Sequence, residues 1–188
     1  MIGSLNLRPM ESIQSVTPDP RYFLRSDRLS FRRWSTADLS LAQSLWGDLE
    51  VSRFLGALSP EAVQQRLNLE IANENKYHVQ YWPMFFRSNE EFVGCAGLRP
   101  YCPEQQIFEL GYHLRPHYWA QGLATEAAKV VINYAFQTLK VSALFVAHYP
   151  GNVASRHVLE KLGFRFTREE LYVPTGAMHR SYLLTPPA

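Results

Sequence analysis

Between Trp119 and Ala127 the chain reads Trp-Ala-Gln-Gly-Leu-Ala-Thr-Glu-Ala, joining a strand-like run, Phe108 to Leu114, to a long helical pattern. The middle of this join carries little side-chain bulk. A Gly followed by small residues at a helix start leaves backbone N–H groups bare and pointing outward, with the positive end of the helix dipole behind them. Such a corner is an anion cradle, suited to a pyrophosphate. Taken alone, one Gly before an Ala-rich helix is more often tight packing of a helix on a sheet. A second element downstream changes that balance: Pro150, Gly151, Asn152, Val153, Ala154, Ser155, then Val158 to Phe164.

The rest of the chain alternates strand and helix signals around this corner. Leu29 to Trp34 reads as a first strand, and Ser35 followed by Asp38 is a capping-box-like start for a helix to about Trp46. Ser59 and Pro60 form an N-cap and N1 pair opening a second helix to about Asn73. Tyr77 to Phe86 and Phe92 to Leu98 are aromatic and β-branched runs separated by the polar stretch Arg87 to Glu91, which predicts an antiparallel hairpin. Phe108 to Leu114 is a fourth strand, ended by Pro116.

From Leu123 the apolar positions Ala124, Ala127, Ala128, Val131, Ala135 and Leu139 follow helical spacing, with Glu126, Lys129, Asn133, Gln137 and Lys140 on the other face. Leu144 to Tyr149 reads as a fifth strand, and Asn152 caps a short helix that Gly163 closes. Phe164 to Tyr172 and His179 to Leu184 finish as two strands around Pro174, Thr175 and Gly176. This order predicts an α/β protein, a mixed sheet with helices on its faces.

The 188 residues are enough for one domain that buries its own core, and no apolar run reaches the ~18 residues of a membrane span. Residues 1–26 contain Pro9, Pro18 and Pro20 without an apolar signal-peptide core, so they read as a loose or docking arm ahead of a single domain over 27–188. A cytoplasmic location is the default expectation, and with it two free thiols at Cys95 and Cys102. The net charge of +2 is too small for a nucleic-acid footprint over the whole surface. Arg21, Arg25, Arg28, Arg32 and Arg33 cluster locally, and a solvated strand edge accounts for them. His113 and His117 lie four apart with Pro116 between them, which argues against a helical ligand pair, and no metal is assigned.

Four stretches together resemble the GNAT superfamily of acyl-CoA-dependent N-acyltransferases, in the branch of ribosomal-protein N-terminal (Ser/Ala) acetyltransferases. They are Asp27 to Leu29 with Phe31 and Arg32; Phe92 to Gly94 with Gly97 to Arg99; Glu109 to Tyr112 running into the cradle; and Asn152 to Phe164. The resemblance spans about Leu29 to Leu184. It implies a GNAT fold: a mixed, mostly antiparallel sheet of about seven strands, splayed at the fourth and fifth, with helices on both faces. It also implies acetyl-CoA as the acyl donor and an amine acceptor, a peptide N-terminus or a small molecule. The protein would be a monomer or homodimer off the membrane, and the Arg21 to Arg33 cluster would serve any association with ribosomes.

Carried onto this chain, the resemblance has the backbone of Tyr112, His113 and Leu114 pairing with the pantetheine arm, and Gln121, Gly122, Leu123, Ala124 and Thr125 holding the pyrophosphate. Trp119 stands where the wider superfamily usually has Gln or Arg, and Ala120 where Gly is frequent. Asn152 needs no explanation beyond its N-cap, yet in the family an Asn here bonds the pantetheine arm near the thioester. Both roles can hold at once.

Moving an acyl group from a thioester to an amine requires alignment, a neutral amine, and accommodation of charge on the carbonyl oxygen and departing thiolate. Glu109 shares a strand face with Gly111 and His113, where desolvation would raise its pKa and suit it to proton abstraction through water; pairing with a nearby Arg is the competing role. The family's helix Tyr, which protonates the thiolate, is replaced here by Leu159, so Ser155, Tyr149 or a water is the candidate acid. Ser155 is also the N3 residue of a capped helix. Arg156, His157, Glu160 and Lys161 read as a solvated face, with a cation or two in reach of the 3′-phosphate of CoA. The acceptor pocket is expected between Arg53, Phe54, Leu55 and Gly56 and the turn Val173 to Gly176, walled by Tyr81, Trp82, Phe85 and Phe86 where these are not core. The missing helix Tyr leaves an alternative open, a non-catalytic acyl-CoA-binding sensor or scaffold.

Overall fold

The computed structural model describes residues 19–54, 56, 58–173 and 175–187. Most of the expected arm, with Pro9 and Pro18, lies outside the described residues, as do Leu55 of the expected pocket wall and Pro174 of the last turn.

Among the described residues eight strands form one sheet, in spatial order β1-β2-β3-β4-β5-β6-β8-β7. The strands are β1 (Leu24–Arg25), β2 (Leu29–Phe31), β3 (Tyr81–Phe86), β4 (Phe92–Cys102), β5 (Ile107–Leu114), β6 (Ala143–His148), β7 (Arg165–Tyr172) and β8 (Ala177–Leu184). Every pairing is antiparallel except β5 with β6. The helices are α1 (Leu39–Trp46), α2 (Leu49–Ser52), α3 (Pro60–Tyr77), α4 (Leu123–Gln137) and α5 (Val153–Lys161). The mixed, mostly antiparallel sheet of the GNAT expectation is therefore present, with one more strand than the seven anticipated. That strand is β1, from residues assigned to the arm: Leu24 and Arg25 pair with Phe31 and Ser30, and Tyr22 packs edge-on against Phe85.

The sheet separates two cores. On one face α4 lays Leu123, Ala127, Ala128, Val131 and Ala135 against Trp82, Leu98 and Leu110, with Leu159 of α5 in the same cluster. On the other face α1 and α3 bury Leu45, Trp46, Val63 and Leu67 against Tyr81, Phe85, Phe92 and Cys95. Helices on both faces follow from strand residues that are apolar on both sides of the pleat. Both cysteines are free, Cys95 buried and Cys102 half-buried. No helix among the described residues is long and apolar enough to cross a membrane.

Several boundaries differ from the sequence reading: the strand expected over Leu29 to Trp34 ends at Phe31, and the last strand begins at Ala177 instead of His179. Helix α3 runs to Tyr77 and is stopped by His78 in the left-handed conformation, its N–H bonded to the Glu74 carbonyl, so strand β3 begins only at Tyr81. The stop is carried by a residue other than Gly, which hides it from inspection. Strand β4 continues past Leu98 to Cys102, passing Pro100 at a register shift where a missing N–H is tolerated. Helix α4 ends at Gln137, short of Leu139.

Of the clustered arginines, four form ion pairs: Arg21 with Asp19 and Glu90, Arg28 with Glu126, Arg32 with Asp38 and Arg33 with Glu74. Arg25 donates to the Asp19 carbonyl at 2.6 Å. The cluster braces the first strands and is not an unpaired basic patch. Asp38 is its most buried partner: it accepts from Arg32 at 2.8 and 2.7 Å and from Ser35 N–H at 2.8 Å, closing the capping box ahead of α1. Burial pushes its carboxyl up, but these donors outweigh burial and its pKa is lowered. Asp38→Ala should destabilise the fold by about 1–3 kcal/mol in urea unfolding at pH 7. Because the folded pKa is depressed, the stabilisation is present above the ordinary carboxylate pKa of about 4 and lost as pH falls through the lower folded value. The gap between wild type and variant should therefore close on acidification; a gap independent of pH would assign the loss to packing.

Candidate active site

Strand β5 sets the geometry. It pairs with β4 along its length, from Gly94 opposite Leu114 to Pro100 opposite Phe108, but with β6 only through Ile107, Phe108 and Glu109. Beyond Glu109 the two strands part. Arg115 N–H donates to the Val93 carbonyl at 3.0 Å, so by antiparallel alternation the odd-numbered residues of β5 bond β4 and the main-chain groups of Leu110, Tyr112 and Leu114 face the opening. Trp119 Nε1 donates to the Leu114 carbonyl at 2.7 Å, and the parallel Glu109–Phe145 register takes the Leu110 N–H to β6, leaving the Leu110 carbonyl, Tyr112 and the Leu114 N–H on the open edge. His113, expected to contribute its backbone here, has its main chain turned toward β4. A cavity of about 600 Å³ fills the parting, lined by Glu109, Tyr112, Gly122, Asn152 and Ser155 among others.

The cradle closes one end of this cavity. Gly122 sits at φ +77 as the N-cap of α4 without any side-chain cap, and the first helical bond runs from Glu126 N–H to the Gly122 carbonyl. The N–H groups of Gln121, Gly122, Leu123, Ala124 and Thr125 donate to no group among the described residues. A Cβ on Gly122 would meet only an Arg28 nitrogen at 3.8 Å, so the ground above it is open. The loop is held from behind: Arg28 donates twice to the Gln121 carbonyl at 3.2 Å and grips Glu126, which also accepts from Ser26 Oγ at 2.6 Å. Leu123 is buried core, so only its N–H is offered. These bare donors and the open strand edge fit a pyrophosphate joined to an extended amide-bearing arm.

At the other wall, Asn152 caps α5, its side-chain oxygen accepting from Ser155 N–H at 3.1 Å. The N-cap role is thus filled. Ser155 Oγ lies 3.0 Å from the Tyr112 hydroxyl, and burial, partly opposed by Ser155, pushes the Tyr112 hydroxyl pKa up to about 12. The residue missing from the sequence reading is Tyr112's side chain, which had been given a backbone role alone. Tyr149 stacks on Phe54 with ring centroids 5.5 Å apart and meets His179 edge-on. Leu159 is fully buried in the core.

Of the aromatics expected to wall an acceptor pocket, only Tyr81 lines the cavity; Trp82 and Phe85 are core, and Phe86 packs against the core cluster. Tyr81 can lie over β5 because residue 111 is Gly: a Cβ there would stand 2.2 Å from the ring. Arg53 of the expected wall lies over the Phe54 and Trp119 rings, and His157 and Lys161, expected on a solvated face, border the cavity.

Charge is concentrated where β4 and β5 pass under α3. Glu70 is fully buried; it accepts from Arg99 Nε at 2.9 Å and Nη2, and from Tyr81 N–H at 2.9 Å. Arg99 stands opposite Glu109 in the strand register but is engaged by Glu70. Glu109 makes no ion pair within 4 Å among the described residues, and Arg99 and Arg66 act on it only by attraction at longer range. Burial raises its pKa, and Arg99 and Tyr81 offset this only in part. His113, beside it on the same face, is held neutral: burial, with Arg66 and Arg99 nearby, drives its pKa well down, and Trp46 Nε1 donates to its Nδ1 at 3.4 Å.

A family profile described as "Acetyltransferase (GNAT) domain" matches residues 28–165. The chain is 26% identical over 145 residues, 76% of its length and 82% of the relative's, to the uncharacterized N-acetyltransferase YoaA of Bacillus subtilis. Its fold is shared with an acetyltransferase from Agrobacterium tumefaciens, at TM-score 0.75 and 22% identity over 98% of this chain and 100% of that one. It is also shared with RimL, a ribosomal alpha-N-protein acetyltransferase solved in complex with coenzyme A, at TM-score 0.72 and 16% identity over 85% and 95%. The match over most of the chain, together with the parted strands and the bare helix start, makes this protein a member of the GNAT acetyltransferase family and an N-acetyltransferase.

Proposed function

We propose that the protein transfers acetyl from acetyl-CoA directly to a primary amine, with Glu109 as the base. The observation that carries this reading is Glu109 itself, a carboxylate in the cavity with no cation bound to it because Glu70 holds Arg99. Acetyl-CoA supplies an already activated thioester. The chain's residues then have three tasks.

Alignment falls to the main-chain groups of Tyr112 and Leu114 on the open edge of β5, to the N–H groups of residues 121–125, and to the side-chain amide of Asn152. Holding two reactants in register is worth several kcal/mol by itself. Deprotonating the incoming ammonium falls to Glu109, directly or through a water, and its raised pKa brings it nearer to that of the amine. Returning a proton to the departing thiolate falls to Ser155, whose hydroxyl is paired with that of Tyr112, with Tyr149 at the mouth as the other donor. No observation favours a cofactor-binding role without turnover.

Glu109→Gln should lower kcat/KM by about a hundredfold, within the usual range for removing a positioned base. The base form of Glu109 is lost as pH falls through its raised pKa, so the wild-type acid limb should lie above the ordinary carboxylate range and vanish in the variant. The difference should be largest between that limb and the amine's own pKa, and shrink above it; superimposable pH profiles would discard Glu109. Gly122→Val forces a branched side chain into the left-handed region, at roughly 1–2 kcal/mol of stability, and puts methyl groups where a phosphate must approach. Calorimetric titration should show at least a tenfold loss of CoA affinity with the circular dichroism spectrum kept. Unchanged affinity would remove the cradle from the binding site.

A further inference from the structure

Arg66 has no function in the reading above, and its surroundings are hard to explain without a ligand. It lies on the inward stripe of α3, one turn after Val63 and one turn before Glu70, and it lines the cavity together with Tyr81, Arg99 and Glu109. Its guanidinium stands over the Trp46 ring, 4.7 Å from the centroid. Its Nε is buried and has no hydrogen-bond partner among the described residues. No ion pair reaches it among the described residues, because its helical neighbour Glu70 is already engaged by Arg99 and by the Tyr81 N–H.

An unpaired cation in such a place is costly. Removing a charge from water costs several kcal/mol unless a counter-charge is supplied, and Arg99 nearby adds repulsion. Burial and Arg99 together lower the Arg66 pKa. Where α3 meets β4 and β5 the charges come as two cations and two anions, Arg66, Arg99, Glu70 and Glu109, with Glu50, Arg53 and Lys161 elsewhere in the cavity lining. Glu70 and Arg99 neutralise each other, which leaves Arg66 and Glu109 as a separate plus and minus, neither paired with the other. A molecule complementary to both presents a positive group to one and a negative group to the other.

We propose that the acceptor is a small molecule carrying an anionic group, a carboxylate or a phosphate ester, beside its primary amine, and that Arg66 receives the anion while the ammonium faces Glu109. This rests on the assignment of the cavity as an acetyl-transfer site, and it makes Arg66 the specificity determinant of that site. The planar guanidinium, backed by Trp46, has its free nitrogens to offer two oxygens side by side. An uncharged amine would leave Arg66 without its counter-charge.

The test compares matched acceptor pairs in a thiol-release assay with acetyl-CoA: amino acids of increasing chain length against their carboxamides, and aminoalkyl phosphates against the amino alcohols. The acid member should show kcat/KM higher by about tenfold or more, the range expected for a hydrogen-bonded charge. Arg66→Gln should bring the acid-to-amide ratio to near one, and Arg66→Lys should keep part of it. Comparing the carboxylate and phosphate series identifies which anion fits. A wild-type ratio near one, or a ratio that persists in Arg66→Gln, overturns the proposal while leaving acetyl transfer intact.

Calorimetric titration of the wild-type CoA complex with the acetylated acids and amides separates the two layers. Preferential binding of the acids, abolished by Arg66→Gln, with no turnover of any amine, would sustain the anion site and overturn the transfer reading alone. Equal binding of acid and amide, or no binding of any acid, overturns the Arg66 assignment.

Discussion

The parting of β5 from β6 after Glu109 and Phe145 is the constraint from which the site's geometry derives. Two neighbouring strands that begin as a parallel ladder cannot separate without leaving main-chain donors and acceptors unpaired, and unpaired groups in a protein interior are expensive. Here that cost is concentrated along one short edge, at the Leu110 carbonyl, Tyr112 and the Leu114 N–H, and the same divergence opens the 600 Å³ cavity. The loop after β5 then turns into α4 at the end of that gap, so a row of bare N–H groups continues the line of bare strand groups. The proposed recognition of an extended arm and its phosphate linker uses one continuous stretch of backbone.

The electrostatics below α3 work by exclusion. Glu70 is fully buried and takes Arg99 away from its cross-strand neighbour Glu109. Had Arg99 paired across the strands, Glu109 would be a structural carboxylate with a depressed pKa and little use as a base. Buried ion pairs are weak evidence for stability; this one is better understood as positioning. Neutral His113 and the close approach of Tyr81 over Gly111 complete a wall whose charges are few and separately placed.

Much of this is legible in the sequence. The strand, glycine and helix around Gly122, the cap at Asn152 and the box at Ser35 and Asp38 are all local signals, and local signals survive in a single sequence; the vacancy at Leu159 comes only from the family resemblance. The extra strand β1 was missed because two residues carry no periodicity. The stop of α3 at His78 was missed because its left-handed residue is not Gly. At the site, the Tyr112 hydroxyl beside Ser155 and the Glu70–Arg99 pair join residues far apart in the chain, and nothing local encodes such meetings. One clue was present: Arg66 and Glu70 fall on the same helical stripe as Val63 and Leu67, and charged residues on an apolar stripe need partners.

The clamp of Arg28 and Ser26 on Glu126 and the Gln121 carbonyl joins the opening segment of the domain to a loop roughly a hundred positions later. Contacts of such long sequence separation form late, after loop-closure entropy has been overcome. Competence to bind a nucleotide-linked thioester is therefore a property of the completed domain: a partly folded or nascent chain, even with β5 and α4 in place, would lack the brace that aims the loop. The aim of the cradle and the docking of the first strands are thus tied together through one ion pair, Arg28 with Glu126.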